Sequence, residues 1–202
     1  MTEHSSTIAA VATLADAVAL INAVDGIVWQ AHAPQMQITF VGAQGEHILG
    51  YGLRQWSADA QFWQRLIHSE DRQATLAWWQ VCGTQAGRHE HSYRLLRADG
   101  QYIWIRNSVL TTLTDTGLHA NANAVASPVT SAVLRGVMYD VTQQRRIESE
   151  LEQQARLFQA VFNHAPDPMA IVSTERVIQT VNPALERVFG YQREEIAGQT
   201  TA

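Results

Sequence analysis

One short phrase occurs twice in this chain of 202 residues. The segment ITFVGAQGEHILGY, Ile38 to Tyr51, recurs without gaps as IQTVNPALERVFGY, Ile178 to Tyr191, with Ile, Val, Glu, Gly and Tyr at matching positions. In both copies a strand-like alternation turns into a helical pattern that ends at Gly-Tyr, where glycine suits the left-handed end of a helix. The chain is long enough for two small domains. The repeat therefore predicts that one kind of domain begins twice.

The elements around the first copy predict an α+β domain with an antiparallel sheet. The segments IVWQAHA and MQITFV have the β-branched and alternating character of a strand hairpin. Helical segments follow, and Ser69 is predicted to be the N-cap of the longest one. Two more strands flank the tight turn at Asp99-Gly100, and a further strand runs through AVLRGVMYDV. Two strands, a group of helices and three strands, in that order, are typical of an α+β fold.

Charge and cysteine content exclude several classes of function. Fourteen basic and nineteen acidic residues give a formal net charge of −5, with an isoelectric point near 5.9. No basic surface for a nucleic acid or an anionic membrane is therefore expected. Cys82 is the one cysteine in the sequence, so neither a disulfide nor a cysteine zinc site can form within one chain. This pattern favours a reducing, cytoplasmic location.

The first 23 residues are predicted to form an amphipathic helix that docks or dimerises. The apolar segment from Ile8 to Ala23 is too short to span a bilayer, contains Asp16, and follows no Lys or Arg. It is therefore not expected to be a membrane anchor or a signal peptide. The residues of its helical stripe are Ile8, Val11, Ala15, Val18 and Asn22 or Ile21.

A second long helix is predicted over residues 143–165, with Thr142 as its N-cap. Its apolar residues alternate at spacings of four and three, with Gln154 as one polar interruption, which is the pattern of a coiled-coil seam. The apolar residues of this seam are Ile147, Leu151, Phe158 and Val161. The seam predicts a homodimer held by this helix.

Four segments together resemble the PAS domain family, in the form that carries a C-terminal PAC motif and is common in bacterial sensory proteins. The segments are ILGY, FWQRLIHSEDR, YRLLRADGQYIWI and GVMYDVTQQRRIESEL. Each one is weakly specific, but they occur in the family's order and spacing. The resemblance implies a complete PAS domain over residues 24–142 and the truncated start of a second over residues 166–202, joined by the helix 143–165. A segment of about forty residues rarely supports its own core.

The resemblance also implies a five-stranded antiparallel sheet with helices on one face, enclosing a small cavity. Such domains bind haem, flavin or a metabolite, or bind nothing and dimerise. The junction Asp140-Val141-Thr142 matches the family's Asp-Ile-Thr motif, so Asp140 and Thr142 are the expected signal relay into the outgoing helix. The candidate cavity residues are Trp29, Phe40, Trp79, Tyr93, Leu95, Trp104 and Met138. Whether these aromatic residues stack a ligand or fill the space stays open at this point.

Specific cofactors are disfavoured. The long helix SEDRQATLAWWQVCGTQAG contains no histidine for haem ligation, although His68 precedes it and His89 and His91 share a strand face. Glu90 points to the opposite face, so these residues do not form a three-ligand metal site. Cys82 lies too late in the helix for a photochemical flavin adduct and is expected to be an inert, buried thiol.

No catalytic set accompanies these features. Neither a Ser/His/Asp arrangement, nor a glycine-rich phosphate loop, nor a carboxylate pair occurs in a supporting context. We therefore expect a non-enzymatic sensory module that detects a small molecule or redox state. By resemblance, the output domain of the longer protein would be a histidine kinase or a cyclic-di-GMP enzyme. A ligand-free dimerisation module and a haem-based gas sensor are the alternatives.

Overall fold

A computed structural model describes residues 13–33, 35–59, 61–115 and 130–200. The chain divides into two compact units after Gln143. Two residues of the predicted N-terminal stripe, Ile8 and Val11, lie outside the described residues.

The first unit contains a five-stranded antiparallel sheet, as the order of predicted strands and helices indicated. The order of strands across the sheet is β2-β1-β5-β4-β3, so β2 and β3 form its edges. The long central strands β4 and β5 pair along most of their length. The strands are β1 (Ile27–Ala33), β2 (Gln37–Val41), β3 (Gly87–Leu96), β4 (Tyr102–Asp115) and β5 (Thr130–Asp140).

Five helices lie wholly within the described residues of the first unit: α1 (Leu14–Asn22), α2 (Gln44–Leu49), α3 (Leu53–Ala58), α4 (Phe62–Leu66) and α5 (Ser69–Cys82). Helix α1 begins with a capping box between Thr13 and Asp16. The prediction of Ser69 as the N-cap of α5 is wrong. His68 occupies that position, and its Nδ1 accepts a hydrogen bond from the Glu70 backbone N–H at 3.3 Å. A histidine ring nitrogen thus replaces the expected hydroxyl.

The core lies between one face of the sheet and the helices. Strand β1 alternates, so that Ile27, Trp29, Ala31 and Ala33 are buried while His32 is exposed. Strand β4 buries its odd-numbered residues from 103 to 111. The helices close the core with Leu49, Trp56, Trp63, Leu66, Thr75, Trp79 and Cys82.

The second unit begins within helix α6 (Thr142–His164), which starts at the end of the first unit. Strands β6 (Ala170–Val172) and β7 (Ile178–Val181) form an antiparallel pair, followed by helices α7 (Pro183–Phe189) and α8 (Arg193–Ile196). Buried residues in this unit are few: Phe162, Val181, Asn182 and Ala184. Among the described residues of the chain, no helix combines the length and apolar character needed to cross a membrane.

Candidate functional site

The inner face of the five-stranded sheet gathers aromatic side chains from three elements. Trp29 comes from β1, Trp79 from α5 and Tyr93 from β3, and each is almost completely buried. The Trp29 and Trp79 rings meet edge to face, with centroids 5.2 Å apart, a favourable geometry for aromatic pairs. Trp79 also meets Trp63 of α4 edge to face, with centroids 5.3 Å apart.

Asn107 of β4 links two of these aromatic residues through hydrogen bonds. The Trp29 indole N–H donates to Asn107 Oδ1 at 3.1 Å, and Asn107 Nδ2 donates to the Tyr93 hydroxyl at 3.3 Å. All three residues are buried, so the bonds satisfy polar groups that would otherwise be costly to desolvate. Burial raises the pKa of the Tyr93 phenol, which keeps it a neutral donor and acceptor. The inner face is thus a packed polar and aromatic network.

Glycine at position 136 makes room for the Trp29 indole. Gly136 of β5 pairs with Trp29 of β1 across the sheet. A Cβ atom at this position would lie 2.6 Å from Trp29 Cζ2 and 2.7 Å from the Ser108 carbonyl oxygen. Any larger residue would displace the indole, so the position of Trp29 depends on this glycine.

His91 of β3 lies between two aromatic rings at the edge of the same face. It stacks on Trp78 and Tyr93 with interplanar angles of 26° and 27°. Its Nε2 is 3.2 Å from the hydroxyl of Thr75, which is fully buried on α5. Burial lowers the pKa of the His91 imidazole, against an opposing effect of Asp71, and so favours its neutral form.

The structure brings five of the seven predicted cavity residues together: Trp29, Trp79, Tyr93, Leu95 and Met138 are all buried in the core. The expected inward placement of Phe40 and Trp104 is wrong. Phe40 is 41% exposed and pairs in register with Gln30 on the outer face. Trp104 lies under the Arg94 guanidinium, 5.3 Å from its ring centroid. The β4 register buries Ile103 and Ile105 instead.

Sequence reasoning did not identify Asn107, Thr75 or His91 as parts of this network. The available signal for Asn107 was its place two residues after Ile105, on the same face of an alternating strand. For the other two residues no comparable signal exists, since their contact depends on how helix α5 packs against strand β3.

The residues considered as metal ligands contact other protein groups, and the cysteine is buried. His89 Nε2 lies 2.9 Å from the Gln85 carbonyl oxygen, and Glu90 lies 3.6 Å from Arg106. Within the described part of the chain, no cluster of three or more metal-ligating side chains occurs. Cys82 is buried, and burial raises the pKa of its thiol to about 11. It is therefore a protonated, weakly reactive thiol at neutral pH.

At the end of the sheet, hydrogen bonds join β4 and β5 to the start of helix α6. The Thr142 hydroxyl accepts from the Trp104 backbone N–H at 2.9 Å, and the Asp140 carboxylate accepts from the Thr142 backbone N–H at 2.9 Å. The Val141 N–H donates to the Trp104 carbonyl at 2.9 Å. The expected N-cap role of Thr142 is wrong: Thr142 is the first residue of the helix, and its hydroxyl binds a neighbouring strand.

Beyond this junction, the predicted seam residues of α6 are exposed apolar side chains. Their exposed fractions are 57% for Ile147, 66% for Leu151, 55% for Phe158 and 60% for Val161. Leu157 is also exposed.

Comparison with known proteins identifies the family. Family models described as the PAS fold match residues 38–117 and residues 156–202, which together make up more than half of the chain. The chain belongs to the PAS family. Its first unit has the family's five-stranded antiparallel sheet with helices on one face.

Individual relatives are more distant. The chain is 24% identical over 153 residues to the sensor protein FixL of Bradyrhizobium diazoefficiens, a match that covers 75% of this chain and 28% of the relative. A sensory box histidine kinase/response regulator structure from Burkholderia thailandensis is 16% identical, with a TM-score of 0.50, over 70% of this chain and 96% of that chain. An RNA-binding light-oxygen-voltage receptor is 18% identical, with a TM-score of 0.52, over 81% of this chain and 43% of that chain. These structures support the fold.

Proposed function

We propose that this chain is the sensory part of a longer, cytoplasmic signalling protein that works as a homodimer. Residues 24–142 form the sensing PAS domain, residues 143–165 the relaying helix, and residues 166–202 the start of a second PAS domain. The sensing domain detects a small molecule or a redox state and passes the change to an output domain through α6. The similarity to a sensor protein supports this role. A histidine kinase or a cyclic-di-GMP enzyme would suit as output.

The observation that carries the proposal is the hydrogen-bonded junction at Thr142. One hydroxyl joins β4 to α6, while the Asp140 carboxylate joins the end of β5 to the same residue. A small shift of either central strand therefore changes the position of the first helical turn. Because the seam that follows is apolar and exposed, such a shift would change how two copies of α6 pack.

A direct test removes the Thr142 hydroxyl while keeping the side chain's shape. In Thr142→Val, the Trp104 amide loses its acceptor, so we expect its hydrogen exchange and that of the first turn of α6 to speed up about tenfold, as expected for one lost hydrogen bond. Thr112→Val serves as the control because Thr112 is exposed on the same strand. Unchanged exchange at the Trp104 amide would contradict the relay.

The dimer is tested at the seam. Replacing Ile147 and Leu151 with Asp should convert a dimer to a monomer in sedimentation experiments, because charged residues would replace the apolar contacts between the helices. The matched control replaces Ser149 and Gln153 with Asp, at exposed positions off the seam. A monomeric wild-type chain, or a double variant that still dimerises, would show that α6 is not the dimer interface.

A ligand-free dimerisation module is the second candidate. It is favoured by the inner-face network, in which Trp29, Asn107 and Tyr93 already satisfy one another. Native mass spectrometry and an absorption spectrum of the purified chain separate the two candidates. Added mass or a visible chromophore supports the sensor, and a Soret band would identify haem. A bare dimer that stays bare in cell extract favours the interaction module.

A further inference from the structure

Four tryptophans of the first unit form one connected group of rings. Trp79 of α5 meets Trp29 of β1, Trp63 of α4 and the adjacent Trp78, with ring centroids 5.2, 5.3 and 4.8 Å apart. Separations of about 4.5–7 Å are those of aromatic rings in contact. We call these four residues the tryptophan cluster. Each of the other three rings is one contact away from Trp79.

The four indole N–H groups of the cluster differ in their surroundings. Trp63 Nε1 and Trp79 Nε1 are inaccessible to solvent and have no acceptor among the described residues, although buried donors are normally paired. The Trp29 N–H donates to the amide oxygen of Asn107 in the core. Trp78 is partly exposed, and its indole nitrogen is not one of the inaccessible, unpaired atoms. Within the cluster, only Trp78 can therefore pass its indole proton to water.

This difference matters for one-electron oxidation. Removing an electron from an indole gives a radical cation, which stays a strong oxidant until it loses the proton of its N–H group. The indole nitrogen is a hydrogen-bond donor only, so a buried indole without a basic acceptor keeps its proton and takes an electron from a ring in contact with it. An indole that releases its proton to water becomes a neutral radical, and the transfer ends there.

We propose that the tryptophan cluster carries one-electron oxidation from the core to Trp78. A one-electron oxidant, such as a radical derived from a peroxide, takes an electron from a buried indole. Trp79 and then Trp78 replace that electron, and Trp78 releases its indole proton to water. In sum, one electron passes from Trp78 to the oxidant and one proton passes to water. A soluble thiol restores Trp78 by giving it a hydrogen atom and becomes a thiyl radical.

The end of this path lies at a contact between α5 and the sheet. Trp78 stacks on His91 of β3 with an interplanar angle of 26°, so oxidation at Trp78 changes one side of that contact. For its link to signalling this inference rests on the proposed function, in which a redox state is one of the two signals. The electron path itself is measured without reference to dimerisation.

The test attaches a ruthenium polypyridyl photosensitiser to the full chain through a Gln64→Cys substitution. Gln64 is partly exposed and lines one cleft with Trp63 and Trp79, whereas the native Cys82 is buried. A light flash with an external electron acceptor leaves the sensitiser one electron short, so that it oxidises its tryptophan neighbours. We expect the absorption spectrum of a neutral tryptophan radical. A nitroso spin trap and tandem mass spectrometry should then locate the adduct on Trp78, above the level of a dark sample.

Three further substitutions in the labelled chain test the path. Trp79→Phe removes the central indole while keeping an aromatic ring, and the Trp78 adduct should fall to the level of the dark sample. Trp56→Phe is the matched control and should leave the adduct unchanged, because Trp56 is equally buried but its ring meets Phe62. Trp78→Phe, at a partly exposed position, removes the end of the path. The radical-cation spectrum should then remain and the neutral-radical spectrum should be lost.

Four outcomes would overturn the proposal. They are no adduct on Trp78 in the labelled chain, an undiminished adduct after Trp79→Phe, a neutral tryptophan radical after Trp78→Phe, and a tyrosyl spectrum, which would place the oxidation on Tyr93. The Trp78→Phe measurement does not depend on the folding of the Trp79→Phe chain. A failure of the proposed function would look different. In that case the radical would reach Trp78 as expected, but the chain would sediment as a monomer or the Thr142→Val variant would leave exchange at the junction unchanged.

Discussion

The two copies of the repeated phrase adopt the same local structure in different surroundings. In each, a strand leads into a helix that ends at a glycine with positive φ, 79° at Gly50 and 77° at Gly190. The burial of the two helices differs. Leu49, just before the first glycine, is fully buried, whereas Phe189, just before the second, is 60% exposed. The short-range pattern therefore determines the local fold, but not the burial.

The two helices differ in burial because different residues surround them in the two units. In the first copy, Tyr51 meets Phe62 of α4 edge to face, with centroids 5.2 Å apart, and Leu49 joins the core. In the second unit, Tyr191 is exposed together with Phe189, and the described sheet has two strands. An apolar residue contributes free energy according to the area it buries. The same sequence position should therefore matter far more in the first copy than in the second.

Substitution at the two matched positions gives the largest expected difference. Leu49→Ala should lower the free energy of unfolding of the first unit by about 3 kcal/mol, because it leaves a cavity in a closed core. Phe189→Ala should change the stability of the second unit by less than about 0.5 kcal/mol, as is usual at exposed positions. Urea unfolding followed by hydrogen exchange reports on each unit. Similar losses in both variants would mean that Phe189 is covered in solution.

Much of the first unit's architecture could be predicted, because its signals are local. The Asp99-Gly100 turn, the glycine after α2 and the alternation in β1 depend on neighbouring residues, and they led to the correct order of elements. The orientation of β4 could not be predicted. Its two faces carry Ile103 and Ile105 on one side and Trp104 on the other, and both sets are apolar. The pairing of β4 with β3 and β5 determines which of these two faces is turned toward the core.

The site was less predictable than the fold for the same physical reason. Capping at Thr142 is a local rule, but the Thr142 hydroxyl instead binds Trp104, 38 residues away in sequence. Asn107 likewise bonds Trp29, 78 residues away in sequence, and Tyr93 on the neighbouring strand β3. A side chain of this kind has several possible hydrogen-bond partners, and the register of the strands determines which one it reaches. Local patterns in one sequence do not contain that information.

The ion pair between α5 and the edge strand β3 offers a second test of what stabilises the first unit. The Asp71 carboxylate accepts hydrogen bonds from the Arg94 backbone N–H at 2.9 Å and from its guanidinium Nε at 2.9 Å and Nη2 at 2.7 Å. Asp71→Asn should destabilise the first unit by about 2 kcal/mol at pH 7, since charge-assisted bonds are lost. Glu70→Gln is the control, because Glu70 binds the same arginine but is largely exposed, and a smaller loss is expected.

The same ion pair predicts a pH dependence. The hydrogen bond from the Arg94 side chain holds the pKa of the Asp71 carboxyl below its ordinary value, against an opposing effect of burial. The stabilisation is therefore complete above the ordinary pKa of the unfolded carboxyl and is lost as pH falls through the lowered folded value. Urea unfolding at a series of acidic pH values should show the wild type and Asp71→Asn converging. A constant difference down to the lowest pH would contradict this assignment.

In the second unit, Asn182 provides a cap that the first copy lacks. Its side chain accepts from the Leu185 and Met169 backbone N–H groups and donates to the Asp167 carbonyl. The N-cap residue of helix α2 is Ala43, which provides no side-chain hydrogen bond. Asn182→Ala should therefore cost the second unit about 1.5 kcal/mol, seen as faster hydrogen exchange in α7. The exposed Gln179→Ala is the control, and equal exchange in both variants would refute the cap.

The smallest expected effect is the difference in stability cost between alanine substitutions at the two glycines. An alanine at Gly190 would take a positive φ in open surroundings and should cost about 1 kcal/mol. At Gly50, the added Cβ would also lie 3.0 Å from the Cβ of Ala98, so Gly50→Ala should cost several tenths of a kcal/mol more. Combining Gly50→Ala with Ala98→Gly removes the crowding but not the positive φ. If crowding causes the excess, the cost of Gly50→Ala measured in the Ala98→Gly background should fall to that of Gly190→Ala; if it does not fall, closer packing in the first copy is not the reason for the difference.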